Sequence, residues 1–523
     1  MALNRRFLRD HGRQAITACK QLLLIAMASA IAACSSGGDD NDGGTSSPPP
    51  PPPPPANQAP VANAGGDLNV TELATVNLLG SAADPDNANS ELTFAWTQTG
   101  GTTVMLNTPA AASASFTAPD VPPGNPETLT FRLTVSDPGG LSSNDSVNVR
   151  VQEPAAVVTI SGELEYEFAA PRTTPFMCDG LIFDAGQVKP IRRATVQLLD
   201  ASGSTVLDTT VADDQGRYSL TANASTDVMV RVRAELLQSG AASWNVQVRN
   251  NVVDPNAETV DPAAPPLDQR PLYVMDSVVF NSGASDINRP TMVATTGWGG
   301  SGYTGPRVAA PFAILDSIYQ AMLLILAEDP AADFPALDAY WSPDNGTSPR
   351  TGSFQDTFAN GDLGVSFYFR GPTGDGSIVG PSLFLLGRDG DDTEEFDSHV
   401  IVHEWGHYFE DNFSRSDSIG GSHGAGDILD KRVSFGEGWA TALSAIALDD
   451  PSYCDTLWFA GQLRGFEINA ENEPANSEEG WYNETTVIKF LYDLWDTNAD
   501  IAADTGSIGF TPIFNVLTGP QVF

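Results

Sequence analysis

Positive charge is scarce in this chain: 26 Lys and Arg stand against 66 Asp and Glu in 523 residues, a formal net charge of −40. Affinity for a phosphate backbone comes largely from counterions released by basic residues, so a nucleic-acid partner is excluded, and a bare polyanionic membrane surface is disfavoured on the same ground. Cysteine and histidine are rarer still, with four and five copies. Cys19 and Cys34 fall near the N-terminus, which leaves Cys178 and Cys454 for the rest of the chain and allows it at most one disulfide. Extended apolar runs are also lacking. The run from Leu22 to Ala33 is too short for a membrane span, which needs ~20 residues. Against these shortages, 41% hydrophobic and 9% aromatic residues suffice for packed cores and exclude wholesale disorder, and the length predicts about three domains.

Arg5, Arg6, Arg9, Arg13 and Lys20 precede the apolar run, so residues 1–33 are expected to be a signal peptide. The run ends Ile31-Ala32-Ala33-Cys34-Ser35-Ser36, which resembles the lipobox of bacterial lipoproteins. That resemblance implies acylation of Cys34 and attachment to a membrane through the lipid. Ser35, where an inner-membrane retention signal has Asp, implies the outer membrane, with the protein facing the periplasm or the cell surface. Ordinary cleavage near Ala33, leaving Cys34 a free thiol, is the alternative. Removing the leader's net +4 places −44 on the exported body. Residues 34–58 read as a linker: a Gly/Asp/Ser-rich stretch, then the unbroken run Pro48 to Pro55, predicted to form a polyproline II rod of ~25 Å.

Residues 59–153 show short alternating runs, such as Leu129 to Val135, between turn clusters such as Asp84-Pro85-Asp86-Asn87 and Asp137-Pro138-Gly139-Gly140. This is the pattern of an all-β sandwich. The segments Asn57 to Gly65, Phe94-Ala95-Trp96 and Leu133 to Asp137 together resemble a polycystic-kidney-disease (PKD) type immunoglobulin-like domain. Asp84 and Asp86 are turn formers or, alternatively, calcium ligands. Residues 157–250 carry further strand patterns around the turn Asp213 to Tyr218, and resemble the prealbumin-like regulatory domains appended to some carboxypeptidases. Neither module offers a clustered His, Cys or nucleophile, so each reads as scaffold or spacer.

Residues 265–523 shift toward helices. Phe312, Leu315, Ile318, Tyr319, Met322, Leu323 and Leu326 recur at helical spacing, and Asp316 among them argues against a membrane span. His403-Glu404-Trp405-Gly406-His407 lies in a predicted helix from Ser398 to Asp411. Four residues apart, the two imidazoles share a face and can bind one zinc, with Glu404 placed as general base for a metal-activated water. Glu410 and Phe413 stand where a metzincin would have Gly and His, which excludes that class. Glu437 in Ser434-Phe435-Gly436-Glu437-Gly438-Trp439-Ala440 is the candidate third ligand; Ser434-x-x-Glu437 is equally a capping box.

HEWGH followed by GEGWA resembles the gluzincin zinc metallopeptidases, specifically the fungalysin group and more distantly the thermolysin-like enzymes. The resemblance implies an α+β zincin-like domain after the two β-sandwich modules, and zinc held by His403, His407 and Glu437. It also implies Glu404 as base and a protein or peptide substrate. No histidine follows His423, so the oxyanion-stabilising histidine of thermolysin-like enzymes is missing. Tyr482 and His423 are the candidate replacements. Thr441 stands where the family often has an Asp that orients a zinc histidine. His399 is a neighbour on the imidazole face. Leu383 to Leu386 is either an edge strand open to a peptide or a buried central strand. Asp389, Asp391, Asp392, Glu394 and Glu395 form an acidic turn, either calcium-binding or a solvated charge run. Cys178 and Cys454 are either one disulfide or two buried thiols. The end at Phe523, soon after a helical stretch, reads as a domain cut short. A non-catalytic surface adhesin or binding lipoprotein with a relic peptidase domain is the rival function, and the intact Glu404 argues against it.

Overall fold

The computed structural model describes residues 56–520 apart from 175–176, 184–185, 253–266, 349–357, 375–377, 422, 425, 460–461, 472–478 and 497–506. The leader, Cys34, the polyproline run and most of the linker near residue 254 lie outside the described residues. The chain forms two compact units, 1–153 and 154–523.

In the smaller unit, Leu68–Thr71, Ser142–Gln152, Glu127–Ser136 and Thr93–Gly100 form a four-stranded sheet in that order. Thr75–Leu79 pairs with Ser113–Thr117. Period-two alternation decides the packing: Leu129, Phe131, Leu133 and Val135 are buried on one face of their strand and share a core with Val76, Leu78, Trp96 and Phe116.

Among the strands of the larger unit are β1 (Val157–Glu167), β2 (Ala194–Asp200), β3 (Asp227–Gln238) and β4 (Trp244–Arg249), which precede helix α1 (Ala310–Glu328). Next come β5 (Leu337–Trp341), β6 (Phe367–Phe369), β7 (Ser382–Leu385) and the two-residue β8 (Asp392–Thr393). Helices α2 (Ser398–Phe413) and α3 (Lys431–Leu448), the hairpin β9 (Ser452–Phe459) and β10 (Gln462–Asn469), and helices α4 (Glu484–Trp495) and α5 (Phe510–Thr518) follow.

One large sheet runs β2-β3-β4-β5-β7-β6, with β4, β5 and β7 mutually parallel and β6 antiparallel to β7 at the end. The expected separation of 157–250 from 265–523 therefore needs correction. β4 of the first segment hydrogen-bonds to β5 of the second, and Val196, Val230, Phe312, Ile318, Trp405 and Trp439 belong to one continuous core. By length and composition α1 could cross a membrane, but most of it is buried in this core. Its Asp316 pairs with Arg192 at 2.6 Å and accepts from the Tyr166 hydroxyl at 2.8 Å.

The strand β7 is not an edge. Its four residues are all buried and it lies between β5 and β6, so the edge reading of Leu383 to Leu386 is corrected: β6 ends that sheet. A continuous apolar run suits a strand covered on both faces, which is what parallel pairing to β5 produces.

Cys178 and Cys454 are disulfide-bonded, with Cα atoms 5.7 Å apart. The bond joins the strand Met177–Ile182 to β9.

Candidate metal centre

Helices α2 and α3 carry the chemistry and lie against each other because Gly406 removes a side chain from the contact. A Cβ at Gly406 would come within 2.9 Å of the Ala440 Cα. The start of α3 resolves the capping question. The helix begins at Lys431, and Asp430 is its cap, accepting from the Arg432 N–H at 3.0 Å. Ser434 is thus inside the helix, where its hydroxyl donates to the Trp481 carbonyl at 2.8 Å. The capping-box reading of Ser434 and Glu437 is overturned, and Glu437 is free to face α2.

The ligand atoms of His403, His407 and Glu437 lie within 4.8 Å of one another. His403 Nε2 and His407 Nε2 are 3.2 Å apart, and Glu437 Oε2 is 3.3 Å from the first and 3.2 Å from the second. Tetrahedral ligands at zinc's usual 2.0–2.1 Å are separated by about 3.3 Å, so the spacing and the donor set both fit zinc. Behind the site, the Thr441 hydroxyl meets His403 Nδ1 at 2.9 Å. With Thr441 accepting, the proton sits on Nδ1 and Nε2 keeps its lone pair for a metal.

The three side chains are strongly coupled electrostatically. Burial works against a charged His407, yet the hydrogen bond and charge of Glu437 outweigh it and lift the imidazole to about 9. Burial also opposes the Glu437 carboxylate, but hydrogen bonds from His403 and His407 hold it well below the ordinary range.

Glu404 lies on the same helix, and its Oε2 accepts the backbone N–H of Tyr368, on the edge strand β6, at 2.7 Å. His423 is brought to the site, with Nε2 at 3.4 Å from Glu437 Oε2, although it falls outside the compact trio. Tyr482 is half-buried and its hydroxyl donates to the carbonyl of Glu479 at 3.2 Å; among the described residues it makes no hydrogen bond to the trio. The structure therefore brings His423, and not Tyr482, against the candidate ligands. His399 is buried, with Nδ1 3.1 Å from the Ser444 hydroxyl and Nε2 3.9 Å from Asp450, so it braces α2 against α3 and its exit.

Sequence reasoning missed three neighbours. Tyr453 lays its ring edge-on to His403, with centroids 6.0 Å apart. Glu410, one turn from Gly406, is buried, and desolvation lifts its carboxyl to about 7. Glu484, first residue of α4, is buried and likewise shifted upward, with His403 and His423 opposing that shift. Its position after the cap Asn483 was the available signal. A cavity of about 700 Å³ borders Glu410 and is lined largely by Phe435, Trp481, Val487, Phe490 and Leu491.

Gly438 sets the distance between α3 and α4, since a Cβ there would meet the Val487 Cβ at 2.6 Å and the Glu484 carbonyl at 3.0 Å. Gly438→Ala gains ~1 kcal/mol of helix propensity but overpacks a rigid contact at a cost of ~1–3 kcal/mol. A net loss of stability in urea unfolding is expected.

A PKD-domain family model matches residues 64–151. Among solved structures, the PKD domain from KIAA 1837 protein is 31% identical, covering 18% of this chain and 88% of that one, with a TM-score of 0.16. A nucleoside hydrolase-related hypothetical protein from Saccharophagus degradans, associated with carbohydrate metabolism, is 27% identical over 18% of this chain and 26% of its own, with a TM-score of 0.16. Residues 64–151 form a PKD-type domain. No curated protein matches the chain. In the PKD domain, Asp84 Oδ1 accepts from the N–H groups of Asp86 and Asn87, both at 2.9 Å, and Asp86 Oδ2 accepts from the Gln58 N–H at 3.0 Å. The two acids thus close a turn, as short polar side chains in a DP sequence do.

Proposed function

We propose that the larger unit is a gluzincin-type zinc metallopeptidase acting outside the cytoplasm, anchored by a lipid on Cys34 to the bacterial envelope. The observation that carries this reading is the convergence of His403, His407 and Glu437 at tetrahedral spacing, with Glu404 on the same helix. Zinc, when bound, supplies a Lewis acid that polarises a carbonyl and brings the pKa of a coordinated water toward ~7. The residues of the chain do the rest. Glu404 takes the water's proton and delivers it to the leaving amine, and the Tyr368 N–H holds its carboxylate in place. Thr441 keeps His403 in the metal-binding tautomer. His423, whose Nε2 lies 3.4 Å from Glu437 Oε2, is assigned the role of donor to the developing oxyanion. The apolar cavity beside Glu410 offers space for a substrate side chain.

The test is metal content together with peptide cleavage by the full chain. Glu437→Gln should abolish zinc retention, with the fold intact by circular dichroism, because an amide oxygen is a far poorer zinc ligand than a carboxylate. Near-stoichiometric zinc in that variant would reject the ligand assignment. Zinc bound by the native chain, with no peptide of a broad library cut, would leave the binding-lipoprotein reading in its place.

A further inference from the structure

The acids of the turn before α2 are not the solvated charge run expected: Asp392, Glu394 and Glu395 are buried, and Glu395 pairs with Arg307 at 3.0 Å. An uncommitted charge of the opposite sign lies elsewhere, in the β-rich part of the larger unit. It is Arg289, and the strand pairing explains its place. The strand Arg217–Asn223 runs antiparallel to β1, with Tyr218 opposite Gly162. The short strands Ile287–Asn288 and Met292–Ala294 pair with β1 in parallel, Asn288 opposite Ser161 and Met292 opposite Leu164. Between those pairs, residues 289–291 stand against Gly162 and Glu163 alone, so the chain bows out. A Cβ at Gly162 would meet the Tyr218 hydroxyl at 2.7 Å, so the missing side chain is what lets the phenol lie over β1.

A cavity of about 310 Å³ lies at this bow, with Tyr218 and Arg289 on its wall beside Val230, Met275 and Val293. The Arg289 guanidinium stacks on Phe280, 3.8 Å from the ring centroid, and among the described residues it makes no ion pair. Tyr218 is 4% exposed, and its hydroxyl is shut away from water without a partner. Burial raises the phenol, and the charge of Arg289 works against that rise. Phenylalanine would fill the same space without stranding a hydroxyl, so packing does not account for a tyrosine here. Asp276, the acid on the wall, is already paired: its two oxygens accept from Arg231 Nε and Nη2, each at 2.7 Å. The two groups left over, Arg289 and the Tyr218 hydroxyl, are both donors. In a chain of net charge −40, a cation left unpaired beside a cavity is a place where a negative group from outside can be held.

We propose that this cavity binds a carboxylate carried on a short apolar body, with Arg289 holding the carboxylate, Tyr218 as second donor, and the body against Val230, Met275 and Val293. The planar fork of a guanidinium matches the two oxygens of a carboxylate. One cation balances that single charge, whereas the near-double charge of a phosphate would be left half unpaired. The volume is at the small end of ligand sites, which suits one residue-sized group. Such a group is either the C-terminus of a peptide or a free organic acid. The site shares no residue with the candidate metal centre, so it does not rest on the peptidase reading.

The experiment is calorimetric titration of the full chain with acetyl-alanyl-leucine, with its C-terminal amide, and with isovalerate. The free-acid peptide should bind, and the amide should bind at least ~10-fold more weakly. Saturation by isovalerate as well identifies free acids as ligands; saturation by the peptide alone identifies chain termini. Arg289→Gln should weaken binding by ~10–100-fold, the loss expected for hydrogen bonds to a charged group, and Arg289→Lys should restore part of it. Tyr218→Phe should weaken binding by ~10-fold yet melt at or above the native protein, because it removes a stranded hydroxyl; that keeps lost binding distinct from lost fold. His403→Ala should bind as the native chain does, which separates this cavity from carboxylate capture by a metal. The proposal is overturned if the amide binds as well as the acid, or if neither acid binds at millimolar concentration. It is equally overturned if Arg289→Gln or Tyr218→Phe keeps native affinity, or if His403→Ala loses it.

Discussion

Glu404→Gln is expected to lower kcat for peptide cleavage by ~10²–10⁴-fold while zinc content stays at that of the native chain. The substitution is chosen for what it leaves alone. Glutamine keeps the side-chain length and a carbonyl oxygen, so the hydrogen bond from the Tyr368 N–H can persist and β6 stays docked on α2. It cannot take a proton. The candidate ligands His403, His407 and Glu437 are untouched. A fall in kcat at constant zinc therefore isolates proton transfer, and it should appear in single-turnover cleavage of a peptide as well as in steady state. If the variant cleaves at the native rate, Glu404 is not the base; if it loses zinc, Glu404 belongs to the metal's support and the mechanism needs another proton acceptor.

The two site helices were legible because their chemistry repeats with the helical period. His403 and His407 had to share a face once the segment was helical, and the structure places them so. The ambiguity at Glu437 was local and had a local cause. Ser434-x-x-Glu437 is a valid capping pattern, and only the position of Asp430, one residue before the helix, shows that the cap is already filled. The small β unit was legible for the analogous reason of period two, and the family match over 64–151 agrees with that pattern.

What was not legible is what depends on partners distant in the chain. The pairing of β4 with β5 merges two segments that local pattern separates, because a parallel neighbour leaves no signature in either strand beyond apolar character. The acidic turn looked solvated because composition records the charges of Asp392 and Glu394 but not the arrival of Asp455 from a later hairpin. The support of Glu404 was invisible for a different reason: its donor is a backbone N–H, which every residue but proline has. Tyr482 was named for its phenol, yet the local carbonyl of Glu479 takes that hydroxyl, whereas His423 reaches Glu437 from a glycine-rich loop.

Cys178→Ser with Cys454→Ser is expected to destabilise the larger unit by ~3–5 kcal/mol in urea unfolding, near the upper end for single disulfides. The cysteines are 276 residues apart in sequence, so the cross-link closes a long loop, and the chain-entropy cost of the unfolded state grows with loop length. Both cysteines are buried, so reduction also leaves two groups packed in a contact between the strand Met177–Ile182 and β9. Dithiothreitol should lower the native protein to the stability of the serine variant and leave the variant unmoved. A variant within ~1 kcal/mol of native would mean that the packing of β9 alone holds the contact. The consequence reaches the candidate zinc site through β9 itself, which carries both Cys454 and Tyr453, the latter edge-on to the His403 ring. Loosening that strand should lower the Tm more than it lowers zinc retention, since β9 gives the candidate site a ring contact and none of His403, His407 and Glu437.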